Sequence, residues 1–327
     1  MSDAGTNAAL LDDLEEGIRA GDVLKLSRAI TLVESERADH MRLGAQLMTR
    51  LGEPSTPAFR LGVSGTPGVG KSTFIETLGR RRTAAGRRVA VLAIDPSSQV
   101  SGGSILGDKT RMSELARDPL AFVRPSPTSG RLGGVARKTR EAIGLCEAAG
   151  FDDVIVETVG VGQSEIGVAD MVDETLVLLL PRSGDGLQGI KRGILEAADV
   201  VVIHKADGDL RLPADAARSE LKSALRLMRG EAVPVLCASS VTGDGIAEVE
   251  VLLDTRRAER GDATMARRRG QNVRWMWRLI DDEIQSKIRR TITSELEQEV
   301  FTGQLHPREA AQSVLQQIMQ AKEEDER

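Results

Sequence analysis

The densest chemical signal in this 327-residue chain is Gly65-Thr66-Pro67-Gly68-Val69-Gly70-Lys71-Ser72, followed by Thr73. The stretch fits G-x-x-x-x-G-K-[ST]. An apolar run at 61–64 precedes it and a helical pattern at 73–85 follows, which is the strand, loop and helix context of a phosphate-binding loop. Its glycines let backbone N–H groups, including those of Gly68, Val69 and Gly70, close around phosphate oxygens. The N-terminus of the helix that follows, at Thr73, adds partial positive charge. Lys71 can reach β- and γ-phosphates, and the Ser72 hydroxyl can ligate Mg²⁺. The competing reading is a plain Gly-rich turn, which the flanking elements disfavour.

Further candidates fall just after apolar runs. Asp95 and Asp108 bracket a polar, Gly-rich segment and are placed to approach the Mg²⁺ side of a nucleotide. Asp108 has a plainer alternative, capping a helix over 109–117. Glu157 ends the run Asp153-Val154-Ile155-Val156, which suits a carboxylate that orients Mg²⁺ or its water shell. The backbone N–H of Gly160 can sense a γ-phosphate, making this loop a switch, and Gln163 is a candidate for positioning water. His204-Lys205-Ala206-Asp207 resembles the guanine-reading N-K-x-D. A carboxylate at Asp207 accepts from guanine N1–H and N2–H₂, and adenine offers neither, leaving a penalty of ~1–3 kcal/mol. The stem of Lys205 can cover the base plane. Ser239-Ser240 stands where GTPases carry Ser-Ala, whose backbone N–H contacts guanine O6.

Alternating strand and helix patterns must position these groups. Strand-like runs lie at 59–64, 88–94, 120–123, 153–157, 174–180, 199–203 and 233–237, with helical stretches at 134–149, 213–228 and 245–259 between them. Such alternation predicts an α/β fold with a mainly parallel sheet flanked by helices. Ligands then sit beyond the C-terminal ends of the strands, where the candidates fall. Before this region, 7–52 reads as helices with apolar faces Leu10, Leu14, Ile18, then Leu26, Ile30, Val33, then Leu43, Leu47, Leu51. After it, Val273, Trp277, Ile280, Ile284 and Ile288 share one helical face, and Pro307 opens another helix. The expected division is a helical extension at 1–57, a nucleotide-binding domain at 58–262 and a C-terminal helical arm at 263–327. The arginines at 256, 257, 260 and 267–269 read as a solvated connection.

Bulk composition narrows the function classes. A net charge of −5 argues against a general nucleic-acid binder, and the absence of Tyr, with five Phe and two Trp, against base-stacking platforms. Cys146 and Cys237 lie in apolar surroundings and suit a reducing, cytoplasmic setting. Residues 1–9 lack the basic and apolar regions of a secretory signal, and no apolar run approaches the ~18 residues of a membrane span. With only three histidines (His40, His204, His306) and no Cys/His cluster, a nickel-insertion role is disfavoured. Two further functions compete: a kinase or transport-associated ATPase, and a scaffold that uses nucleotide only as a structural ligand. Asp207 weighs against the ATPase reading.

The chain resembles the MeaB/ArgK-type GTPases, the G-protein chaperones of adenosylcobalamin-dependent methylmalonyl-CoA mutase. The matching stretches are GTPGVGKST, VLAIDPSS, GGSILGDKTRM, RPSPTSGRLGGVA, CEAAGFDDVIVETVGVGQSE, GDGLQGIKRGILE, KADGD and VRWMWRLI. The resemblance implies a SIMIBI-class P-loop NTPase with helical extensions, dimeric through its C-terminal arm. It implies GTP binding and hydrolysis to GDP that gates cofactor loading, protection or rescue of the mutase or a related acyl-CoA mutase. It also implies a Mg²⁺ site at Ser72, Asp95, Asp108 and Glu157, and a switch region at 182–191 coupled to the mutase. No cobalamin-carrying signature is present, since Asp39-His40 has the wrong spacing for one. Three departures stand out: His204 replaces the usual Asn, Ser240 the usual Ala, and Arg182-Ser183-Gly184-Asp185-Gly186 the commoner Gly-Ala-Gly-Asp-Glu.

Overall fold

The computed structural model describes residues 2–54, 56–95, 112–127, 132–158, 164–181 and 192–325. These form two compact units, Met1–Arg268 and Arg269–Arg327. The first opens with three helices, α1 (Ser2–Arg19), α2 (Val23–Glu34) and α3 (Ala38–Leu51). Asp22 caps α2 by accepting from the N–H groups of Leu24 and Lys25. The predicted faces of α2 and α3 are the buried ones. On α1 the buried set is Leu11, Leu14 and Ile18, while Leu10 is exposed. Both triplets are compatible with a helix, and only the packing partner chooses between them.

An all-parallel sheet then builds from β1 (Phe59–Gly65), β2 (Val89–Asp95), β3 (Ala121–Pro127), β4 (Asp153–Glu157), β5 (Glu174–Leu179), β6 (Val200–His204) and β7 (Val235–Ala238). Its strand order is β3-β2-β4-β1-β5-β6-β7. The connecting helices are α4 (Lys71–Ala84), α5 (Leu132–Ala148), α6 (Ser164–Ala169), α7 (Arg192–Ala197), α8 (Arg211–Arg229) and α9 (Ile246–Arg260). Strands β4, β5 and β6 are buried throughout, as expected of strands covered on both faces. Alternate residues serve opposite cores. Ala90, Leu92, Val154 and Val156 face the N-terminal helices and α5. Val89, Val91, Ile155, Leu61 and Val63 face α4 and α9.

Two sequence expectations change here. Strand β3 runs on to Pro127 through Arg124-Pro125-Ser126-Pro127, which reads locally as loop. It is an edge strand paired only with β2, and an edge tolerates prolines because half its N–H groups need no partner. The helix expected over 109–117 is, in its described part, a turn and a 3₁₀ segment at Leu115–Arg117. Pro119 follows at once and cannot continue a helix.

The larger correction concerns the arginine-rich connection. Arg256 and Arg260 reach Glu174 at 3.0 and 2.8 Å, and Arg267 reaches Asp199 at 3.5 Å. Arg257 lies 5.8 Å from the centre of the Phe59 ring. Arg268, near the start of α10 (Ala263–Thr291), is buried. It donates to Asp173 Oδ1 at 2.8 Å, Glu147 Oε1 at 3.0 Å and the Ala58 carbonyl at 2.6 Å. Arg60 completes the cluster on Glu147, 2.9 Å from Oε1. Burial opposes the charge of Arg268, but the bonds to Asp173 and Glu147 overcome it and hold its pKa above the ordinary value. Arg269 is exposed, as expected of a solvated connection, but the others are at least partly buried. They neutralise carboxylates at the N-terminal ends of the strands, a partnership that sequence neighbours cannot reveal.

The second unit, described by itself, continues α10 from residue 269 and adds α11 (Ser294–Phe301) and α12 (Pro307–Asp325). Thr293 caps α11 by accepting from Leu296 N–H. Ile288, Ile292, Leu296, Val300, Val314 and Leu315 line an open apolar groove of about 550 Å³. Val273, Trp277, Ile280 and Ile284 form an exposed stripe, Trp277 being 58% exposed. No helix among the described residues is long and apolar enough to cross a membrane.

Removing the Arg268 side chain leaves Asp173 and Glu147 buried with less compensation. Arg268→Ala is expected to lower unfolding stability by about 3 kcal/mol, since breaking a buried pair from one side strands a charge. Urea unfolding followed by circular dichroism checks this. A midpoint equal to that of the unsubstituted protein would show that the cluster contributes nothing.

Candidate functional site

Parallel pairing sends every strand's C-terminal end to one edge, and the candidate residues gather there. Strand β1 lies between β4 and β5, with Val63 opposite Glu157 and Gly65 opposite Leu178. The chain must turn sharply after β1. Gly65 has φ +149°, and a Cβ there would lie 2.5 Å from the Leu178 carbonyl oxygen, so only glycine fits. The loop ends at Gly70, in the left-handed region, and α4 begins directly at Lys71.

Lys71 is buried, and its Nζ donates to the carbonyls of Gly65 at 2.8 Å and Thr66 at 3.3 Å. Its ammonium is therefore folded over the loop it belongs to. The Ser72 hydroxyl donates to Glu157 Oε1 at 2.8 Å. This contact joins the first turn of α4 to the end of β4 across 85 residues of sequence. Hydroxyl and carboxylate oxygens are hard donors of the kind Mg²⁺ selects. That ion commonly takes only one or two protein ligands besides water and phosphate. Ser72 and Glu157 fit it. Among the described residues, no group of three or more His, Cys, Asp or Glu could hold a metal by itself. Asp95 ends β2 on the same edge. Its side chain, Asp108, Gly160, Gln163 and the loop 182–191 lie outside the described residues.

The second cluster follows β6 and β7. His204 is the last residue of β6 and is buried. Its Nδ1 lies 2.7 Å from the Val69 carbonyl and its Nε2 2.8 Å from Ser240 Oγ. A carbonyl only accepts, so Nδ1 carries the proton. In the neutral ring Nε2 is then an acceptor and the Ser240 hydroxyl donates to it. Burial drives the His204 pKa below the ordinary value. Lys205 adds to this, while the Val69 bond and the charge of Asp207 oppose it. Lys205 is the one non-glycine residue with positive φ among those described, at 60°, and this backbone turn sends its Nζ to the Gly68 carbonyl at 2.8 Å.

Asp207 is bonded through Oδ2 to the Ser239 hydroxyl. Ser239 Oγ in turn accepts from Val241 N–H at 3.2 Å and Thr242 N–H at 3.3 Å. The Ala206 N–H donates to the Ala238 carbonyl at 3.1 Å. Gly245 closes this loop with φ +73°, and a Cβ there would lie 2.0 Å from the Cys237 carbonyl oxygen. The structure thus brings together Gly68, Val69, Gly70, Lys71, Ser72 and Glu157, and ties them to His204, Lys205, Asp207, Ser239 and Ser240. Thr73 continues the first turn of α4. The tie between the two clusters was missed from sequence. Its signal lay in the polar residues His204 and Ser240, which stand at the two departures from the N-K-x-D and Ser-Ala patterns.

Comparisons with known proteins agree with the fold. Residues 26–293 match the family model described as methylmalonyl Co-A mutase-associated GTPase MeaB. A Mycobacterium tuberculosis protein named "Probable GTPase" is 52% identical over 320 residues, covering 94% of each chain. The mitochondrial methylmalonic aciduria type A homolog of Mus musculus is 46% identical over 331 residues, covering 93% of this chain and 79% of the relative. A solved structure described as a LAO/AO transport system kinase superposes with a TM-score of 0.73 at 34% identity, covering 95% of this chain and 98% of that one.

The His204 geometry has a pH consequence. Its folded pKa lies below the ordinary 6.5, so the unfolded chain binds this proton first. The stability from the neutral ring is full above about pH 6.5 and falls as pH drops through that value towards the folded pKa. Between pH 7.5 and 5, His204→Asn is expected to lose less unfolding free energy than the unsubstituted protein. Paired urea titrations check the difference, and parallel slopes would rule out this contribution.

Proposed function

Because the chain belongs to the MeaB family of methylmalonyl-CoA mutase-associated GTPases, we propose that it is a Mg²⁺-dependent GTP hydrolase. Its cycle gates the loading, protection or reactivation of an adenosylcobalamin-dependent acyl-CoA mutase, with methylmalonyl-CoA mutase the first choice of client. The observation that carries the reading is one continuous polar edge. There a phosphate loop is bonded through Val69 and Gly68 to a loop presenting the guanine-type carboxylate Asp207.

In this reading the Gly68–Thr73 backbone cradles the phosphates. Lys71 exchanges its loop carbonyls for β- and γ-phosphate oxygens and stabilises charge that grows as the terminal bond breaks. Mg²⁺, when bound, neutralises phosphate charge beside Ser72 and Glu157, with Asp95 and Asp108 the further candidate ligands. The Gly160 backbone and Gln163 are the candidates for sensing the γ-phosphate and ordering water. Asp207 reads the Watson–Crick edge of guanine, and Ser240 N–H reads O6. No cobalamin is assigned to this chain, and no nucleic acid or membrane is among the proposed partners. The described cysteines are unpaired thiols, which suits a cytoplasmic setting.

The solved relative described as a transport system kinase suggests a second reading, a kinase or transport-associated ATPase. Asp207 favours guanine, and competition between GTP and ATP for the site decides. Phosphate release from GTP is expected to be slow for the chain alone, to rise with saturating mutase, and to fall by at least about tenfold in Lys71→Ala. Single-turnover rates unchanged by mutase would remove the chaperone reading. Rates equal in Lys71→Ala would remove hydrolysis at this site.

The stripe Val273, Trp277, Ile280 and Ile284 is an exposed apolar face, and we assign it to pairing with a second copy through the 263–327 arm. Light scattering is expected to give a dimer mass for the full chain and a monomer mass for a chain ending at Gln271, which keeps Arg268 and lacks the stripe. An unchanged number of subunits per particle would place the interface elsewhere.

A further inference from the structure

The two residues that depart from the usual guanine-loop pattern, His204 and Ser240, are bonded to each other. His204 Nε2 lies 2.8 Å from Ser240 Oγ, and Nδ1 holds the Val69 carbonyl at 2.7 Å. The ring cannot shift freely. It stands edge-on to Phe74, with centroids 5.8 Å apart and planes at 84°. On another side a single added Cβ at Gly70 would come within 2.9 Å of its Cε1. The neighbouring pair repeats the arrangement, Ser239 on Asp207. Two adjacent serines of the loop after β7 are thus held by the last residue of β6 and by Asp207 in the loop that follows it.

Among the described residues, two amides of this loop, those of Ser240 and Gly245, have no acceptor. Ser239 N–H donates to the Asp244 carbonyl and Gly243 N–H to the Ser239 carbonyl, while Val241 and Thr242 N–H donate to Ser239 Oγ. No described residue accepts from the N–H of Ser240. Ser240 is a half-buried residue whose amide has no acceptor among the described residues and whose side chain is bonded to a clamped imidazole, which are the properties of an aimed donor.

We propose that His204 and Ser240 act as one positioning unit. The imidazole fixes the Ser240 side chain so that its backbone N–H faces a purine O6 acceptor, and ties that orientation to the phosphate loop through Val69. An Asn–Ala pair lacks the side-chain bond that couples the base-reading loop to the imidazole. Here the hydroxyl of Ser240 and the second nitrogen of His204 supply it together, and neither works without the other. The proposal deepens the GTP reading above and rests on it.

The experiment measures competition of four nucleotides against a fluorescent GTP analogue. These are GTP, ATP, inosine triphosphate (which lacks the 2-amino group) and 2-aminopurine riboside triphosphate (which lacks O6 and, with it, the N1 proton that Asp207 accepts, a loss common to every variant). The unsubstituted protein is compared with His204→Ala, Ser240→Ala, the double alanine variant and the His204→Asn/Ser240→Ala pair. The preference for GTP over the 2-aminopurine nucleotide is expected to fall about tenfold in each single variant, the size of one lost hydrogen bond. It falls no further in the double, because the two residues form a single unit. The preference for GTP over inosine triphosphate, set by Asp207, stays within about twofold, as expected of contacts that do not couple. A merely structural role for His204 would weaken both preferences alike, and that result overturns the proposal. Additive losses, or an unchanged O6 preference in Ser240→Ala, also overturn it. Ser240→Ala deletes one oxygen from a loop, so the test survives if His204→Ala fails to fold. Absence of any GTP-over-ATP preference in the unsubstituted protein would instead strike the functional reading itself.

Discussion

The parallel register that sets Val63 beside Glu157 is the constraint on which the site depends. Strand β1 delivers the phosphate loop, and β4 delivers a carboxylate at the same height. With α4 starting directly at Lys71, the Ser72 hydroxyl then falls within hydrogen-bond distance of Glu157. A shift of one residue in that pairing would turn Glu157 to the other face of the sheet, since side chains alternate with period two. The register is held by burial. Val154 and Val156 face one core, Ile155 the other, and slipping would exchange them all.

The two edges of the sheet divide the labour. Loops at the C-terminal edge present backbone donors, a lysine, a serine and carboxylates, and their bonds cross from one loop to the next. The N-terminal edge holds Asp153, Asp173, Glu174 and Asp199 against Arg87, Arg256, Arg260 and Arg268. Burial pushes the Asp153 and Glu174 carboxyls up, and the arginines keep them compatible with the interior. Charge clusters of this kind hold strand ends in place more than they lower the energy of the fold. Chemistry and anchoring are thus kept at opposite edges.

Within the chemical edge, His204 has an unusual position. It is the last residue of a fully buried strand, and it touches both the phosphate loop and the loop after β7. A neutral imidazole can donate on one side and accept on the other, so one residue satisfies a carbonyl and a hydroxyl at once. The loop proposed to read the base and the loop proposed to hold phosphate are joined through that ring and through the Lys205 bond to Gly68.

Much of this was legible in the sequence because it is local. Residues 65–70 encode a loop conformation through their glycines, and the alternation of short β-rich and helical runs encodes a parallel sheet. The family resemblance was likewise carried by contiguous stretches. What tertiary structure decided was partnership. Leu11 rather than Leu10 faces the core, Pro125 and Pro127 sit in an edge strand, and Arg268 is buried among carboxylates from distant segments. His204 meets Ser240, an assignment no spacing rule contains. The physical reason is range. Hydrogen bonds and packing act over ~3–4 Å, and the order of strands in the sheet differs from their order in the chain. Residues 36 or 135 positions apart become neighbours only when the sheet assembles.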